Sequence, residues 1–187
     1  PSSFLSGKGW RVLSSAVFAF SILALGCSRD ADPARQDVPR AEVAGGVEAV
    51  EASPLIKAAT RGDLAKVRVL IDEGEEVNAV DALGRTPLHM AAFYGRPKTS
   101  EFLLTRGAEV NAKDRVGMSP LHAAVLAGEL EEAELLLTQG ANIGSLTDVG
   151  LSPLHLAAAT GQPQMARMLL RRGADSRQKD REGNVPL

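Results

Sequence analysis

The 187-residue chain carries one cysteine, one tryptophan and one tyrosine, and aromatic residues make up 4% of it. Beyond residue 27 the only aromatics are Phe93, Tyr94 and Phe102. The stacking platforms that hold single-stranded nucleic acids need more rings than that. Charge of one sign is lacking too: 21 Lys and Arg stand against 23 Asp and Glu, for a net charge of -2, with both signs interspersed. Without a basic footprint, no nucleic-acid partner is expected. No apolar run reaches the ~20 residues with which a helix crosses a bilayer. The sequence also lacks paired carboxylates, a serine–histidine arrangement and a phosphate-cradling glycine loop in a suitable context. It offers no nucleophile with a base and an orienting group, so no enzyme activity and no cofactor are expected. What remains, 44% hydrophobic and 24% charged, is the composition of an ordinary globular domain with appendages.

The one cysteine has a context. Lys8 and Arg11 precede a short apolar stretch from Val12 to Leu25, the layout of a secretory signal. The stretch ends Leu23-Ala24-Leu25-Gly26-Cys27, which resembles the bacterial lipobox, although Ala24-Leu25 departs from its commoner order of leucine followed by a small residue. The resemblance implies residues 1–26 as a lipoprotein-type signal peptide, cleaved before Cys27. Cys27 would be the lipidation site that holds the chain to a lipid bilayer. Ser28, not Asp, implies sorting to the outer membrane, facing the periplasm of the bacterial envelope. Two or more acyl chains anchor stably where one does not. Residues 27–50 contain no large apolar side chain beyond valine, so ordering them would cost more than burial returns. They read as a spacer with a mean reach of roughly 25 Å.

From residue 51 the sequence repeats. Proline recurs at Pro54, Pro87, Pro120, Pro153 and Pro186, and glycine keeps the same period of 33 in three further series, for example Gly62, Gly95, Gly128 and Gly161. Such a repeat predicts a solenoid of stacked units. Ser53, Thr86, Ser119 and Ser152 precede the prolines, the signal for an N-capped helix with proline at its first position. The glycine after each apolar run ends that helix in a left-handed turn. A second helix follows, with core stripes such as Phe102-Leu103-Leu104 and Leu135-Leu136-Leu137. Asp81-Ala82-Leu83-Gly84 and Asp114-Arg115-Val116-Gly117 then supply turn chemistry.

Thr86-Pro87-Leu88-His89-Met90-Ala91, Ser119-Pro120-Leu121-His122-Ala123-Ala124, Ser152-Pro153-Leu154-His155-Leu156-Ala157 and Gly107-Ala108-Glu109-Val110-Asn111-Ala112 resemble the ankyrin repeat over residues 51 to 187. The resemblance implies an all-α ankyrin-repeat solenoid of helix-turn-helix units joined by β-hairpin loops. The units fall at about 51–80, 81–113, 114–146 and 147–179, with a fifth starting at 180–187. Unit one has Ile56 in place of histidine, as an N-terminal cap would. Thr147 replaces the aspartate that opens a hairpin, predicting a looser turn there. His89, His122 and His155 invite a metal reading. The resemblance instead gives each imidazole a hydrogen bond to the neighbouring hairpin and spaces the three about 10 Å apart, too far to share a zinc ion. No metal is expected.

The family's contact positions imply a protein partner, of unknown identity, held by Leu83, Arg85, Phe93, Tyr94, Arg115, Val116, Met118, Leu126, Val149 and Leu151. An exposed apolar surface of this kind marks interaction sites. The competing reading, that Leu83, Phe93 and Leu126 seal neighbouring repeats, stays open. Glu129, Glu131, Glu132 and Glu134 crowd one second helix, and Arg167, Arg171 and Arg172 the next. They read as solvated faces, or as complementarity with a neighbouring repeat or a partner. The expected function is a membrane-tethered protein-binding module of the bacterial envelope. Since the sequence starts at Pro1 and stops within a motif, the alternative is the recognition domain of a larger exported enzyme or toxin.

Overall fold

The computed structural model describes residues 53–186. The expected signal peptide (1–26), the lipidation site Cys27 and the whole spacer at 27–50 lie outside the described residues. Among the described residues there are eight helices and no strand: α1 (Pro54–Arg61), α2 (Leu64–Asp72), α3 (Pro87–Phe93), α4 (Pro97–Thr105), α5 (Pro120–Ala127), α6 (Leu130–Thr138), α7 (Pro153–Ala159) and α8 (Pro163–Arg171). None of them is long and apolar enough to cross a membrane.

Each odd-numbered helix starts as the sequence predicts. Ser53, Thr86, Ser119 and Ser152 are the N-caps, each followed by proline in the first turn. The glycines close both helices of a unit. After α4 the Gly107 amide donates to the Leu104 carbonyl and the Ala108 amide to the Leu103 carbonyl at 3.0 Å, with Gly107 at φ 88°. This paired closure satisfies carbonyls that the helix end would otherwise orphan. The odd-numbered helices pack in one row, α1 on α3, α3 on α5 and α5 on α7, and each pairs with its own even-numbered successor. The seam between the two rows is apolar and sealed: Leu55, Leu88, Leu121 and Leu154, one per unit, are at most 1% exposed, as are Leu103, Leu136 and Leu169. Burying such a side chain contributes about 1.5–3 kcal/mol.

Polar clamps join the units where the seam ends. Asn78 accepts the Glu109 amide at 2.9 Å and donates to the Gly107 carbonyl at 3.2 Å. Asn111 does the same to the Asn142 amide and the Gly140 carbonyl. Between the first two units Arg68 and Arg106 both lie over the Phe102 ring, at 4.7 and 4.8 Å from its centroid, and Arg106 reaches Asp72 at 2.9 Å.

The 33-residue period places Gly144 where a third clamping asparagine would stand, and glycine has no side chain to offer. A Cβ there would meet only Asn142 Oδ1, at an ordinary 3.6 Å, and its φ is not positive. Gly144→Asn is therefore expected to restore the clamp and stabilise the chain by about 1 kcal/mol, through the added hydrogen bonds and a less flexible unfolded chain. Urea unfolding measures it; an unchanged or lowered midpoint would show that the fourth unit is not held in the register of the others.

The connections between units are turns. Asp81, Asp114 and Thr147 each donate an amide to the carbonyl four residues on, at 2.9–3.1 Å. In the first two turns the aspartate itself takes amides that strand pairing would use. Asp114 Oδ1 accepts from Val116 and Met118 at 3.0 and 2.8 Å, and Asp81 treats Leu83 and Arg85 alike. Thr147 Oγ1 accepts only the Leu151 amide, at 3.1 Å. Its turn has one side-chain bond in place of two, yet keeps the same backbone closure.

Candidate protein-binding surface

Successive turns are laced together at their tips. The Arg115 amide donates to the Leu83 carbonyl at 3.0 Å, the Asp148 amide to the Val116 carbonyl at 3.0 Å and the Arg181 amide to the Val149 carbonyl at 3.3 Å. Backbone must approach backbone closely for this. A Cβ on Gly117 would stand 2.8 Å from the Asp148 amide nitrogen, and one on Gly150 2.7 Å from that of Arg181. Both glycines also have positive φ, at 75° and 84°, so the tips exclude any other residue twice over.

With their carbonyls committed to the next tip, Leu83, Val116 and Val149 form a column one unit apart. Leu83 is half-buried, whereas Val116 is 48% and Val149 40% exposed. Arg115 is exposed beside Val116. Phe93 and Tyr94, at the end of α3, are half-buried and meet edge to face with centroids 5.2 Å apart. Leu126, one unit on from Phe93, and Leu151 are likewise half-buried. These residues present apolar surface that is partly open to water.

Two expected surface residues are not on the surface. Met118 is 3% exposed and Arg85 5%. Both precede a capping hydroxyl residue, at the point where the turn re-enters the stack. The Met118 carbonyl accepts from His89 Nε2 at 3.0 Å while its amide is bound by Asp114, so its side chain is drawn into the core. The Arg85 guanidinium lies on Asp81, its Nε at 2.7 Å from Oδ2. Both therefore act in the stack, and a partner does not reach them in this arrangement.

The histidines hold the turns to the helices. The Ser119 amide donates to His122 Nδ1 at 3.1 Å, which leaves the proton on Nε2, and Nε2 reaches the Leu151 carbonyl at 3.1 Å. His89 repeats this with Thr86 and Met118, and His155 with Ser152 and Asn184. Both ring nitrogens of each are thus committed to hydrogen bonds. Burial lowers the His122 pKa to about 4 against the pull of the Leu151 carbonyl, and burial likewise lowers that of His89.

Glu132 departs from its expected place on a solvated face. It is 1% exposed, neither of its carboxylate oxygens has a hydrogen-bond partner, and neither does the buried Ser100 hydroxyl. Burial raises its pKa to about 7, the Ser100 hydroxyl opposing this without closing a hydrogen bond and Glu129 and Glu131 reinforcing it. The repeat held a signal. One period away on either side stand Thr99 and Met165, 1% and 2% exposed, so position 132 faces inward whatever residue occupies it.

The family model for ankyrin repeats (3 copies) matches residues 32–114 and 110–180. No curated protein matches the chain. The matched segments span most of the sequence, and the paired helices, laced tips and histidine ties are their physical content: the chain belongs to the ankyrin-repeat family.

Proposed function

We propose that this chain is a membrane-tethered protein-binding module of the bacterial envelope, whose partner lies along the tip column and against Phe93 and Tyr94. Ankyrin repeats serve in general as protein–protein interaction modules and not as enzymes. The observation that carries the choice of surface is the column Leu83, Val116 and Val149, which holds apolar side chains in water on a backbone fixed by its own hydrogen bonds. A preorganised surface loses little entropy on binding, so its apolar area converts efficiently into affinity. The tether rests on the sequence: residues 1–26 as an export signal, Cys27 acylated, 27–50 as a spacer and 51–187 as repeats.

Both halves are open to test in cells that make the protein. Val116→Glu with Val149→Glu is expected to reduce co-purification of the partner at least tenfold, because charge enters an apolar contact, while leaving the thermal midpoint within a few degrees. Unchanged capture would place the partner elsewhere. Cys27→Ser is expected to abolish labelling by radioactive palmitate and to shift the chain from the membrane to the soluble fraction; a variant still sedimenting with membranes would refute the tether.

A further inference from the structure

The even-numbered helices carry a charge pattern that the tip column does not use. A groove of about 390 Å³ between α4 and α6 is lined by Glu101, Glu131 and Glu134 and also by Lys98 and Arg172. A neighbouring groove of about 300 Å³ between α6 and α8 is lined by Arg167, Arg171 and Arg172, against Glu134. Three carboxylates thus line one groove and three guanidiniums the next, with Glu134 and Arg172 common to both. All six side chains are exposed, and among the described residues none of the six makes an ion pair. Apolar surface accompanies each set: Leu135 in the acidic groove, and Leu130, 36% exposed, in the basic one.

The geometry points to a second copy of this chain as the occupant, docked about a two-fold axis through the Glu134–Arg172 boundary. An isologous contact requires a surface complementary to itself, and an acidic groove beside a basic groove of similar size is such a surface. The rotation lays the acidic groove of each copy on the basic groove of the other, so Glu101 and Glu131 of one copy come against Arg167 and Arg171 of the other. An acidic peptide would fill the basic groove and leave the three carboxylates unmatched. An anionic membrane would be repelled by them. Charge complementarity of this kind sets partner choice and register, and it weakens with salt. Val116 and Val149 line neither groove, so the dimer leaves the tip column free.

Sedimentation velocity of the full chain in nonionic detergent tests this. A dimer is expected at about 20 mM salt, with its dissociation constant at least tenfold weaker at about 500 mM. Arg167→Glu with Arg171→Glu makes both grooves acidic, and Glu101→Arg with Glu131→Arg makes both basic. Each double variant alone is expected to be monomeric, and an equimolar mixture of the two to form a heterodimer. Far-UV circular dichroism confirms that these surface variants fold. A monomeric wild type at low salt would overturn the proposal, as would a dimer that neither salt nor the charge variants disturb, or a mixture that fails to pair. A monomer that instead binds polyglutamate peptide or phosphatidylglycerol vesicles would assign the basic groove to those ligands and overturn it equally.

Discussion

Glu132→Gln is expected to stabilise the chain by about 3 kcal/mol at pH 8 and to have no effect below about pH 4.5. The carboxyl is buried without a hydrogen-bond partner, so the folded state holds it neutral up to about pH 7, whereas the unfolded chain releases its proton near 4.5. A raised folded-state pKa contributes stability that is complete below the unfolded value and is lost as pH climbs through the folded one. Above pH 7 the wild type must bury a charge or forgo that much stability, and glutamine, equal in shape and never charged, is spared the choice. Chemical denaturation at a series of pH values reads the effect directly. A gain of the same size at every pH would mean that glutamine helps by packing and not by abolishing a titration.

His122→Ala is expected to cost about 3 kcal/mol or more near neutral pH, against about 1–2 kcal/mol for His155→Ala. Both substitutions cut a tie between a turn and its neighbour. His122 is fully buried and its loss leaves the Ser119 amide without its acceptor inside the core. The His155 tie ends on the carbonyl of Asn184, an exposed residue that water can serve instead. Equal losses at the two sites would show that burial of the tie does not set its worth. The pH dependence of His122 runs opposite to that of Glu132. Its folded-state pKa is depressed to about 4 from 6.5, so its contribution is present above pH 6.5 and is lost, up to about 3 kcal/mol, as pH falls to about 4. Between about pH 4.5 and 6.5 the two slopes nearly cancel. In the Glu132→Gln protein the histidine slope is no longer offset by Glu132, and stability should rise with pH across that window.

Most of the fold was legible because its signals are local and repeated. A hydroxyl, a proline and a glycine at fixed offsets define a helix without reference to the rest of the chain, and four units place them at the same offsets. The surface was harder to read. Arg85 and Met118 belong to a position whose exposure depends on where the turn re-enters the stack, which the spacing along the chain does not state. Glu132 sits in the run Glu131-Glu132-Ala133-Glu134, where three like residues differ only in the direction that the helix gives them. Reading down the period, through Thr99 and Met165, separates them; reading along the chain does not. The looser turn expected at Thr147 is looser by one side-chain bond, while its backbone closure survives because the Thr147 amide and the Leu151 carbonyl make it without a side chain.

The amide-to-carbonyl link from each tip to the next has a consequence for how such a surface can change. Every junction fixes the same offset, so the footprint offered to a guest comes in whole steps: it grows or shrinks by one apolar step at a time, and never by a fraction. A guest that spans two steps would gain nothing from a third unless it were itself longer, and removing an interior unit would close the ladder again with its rungs in phase. Specificity in such a chain is therefore adjusted by swapping single side chains on fixed rungs, and reach by adding rungs, two dials that turn independently.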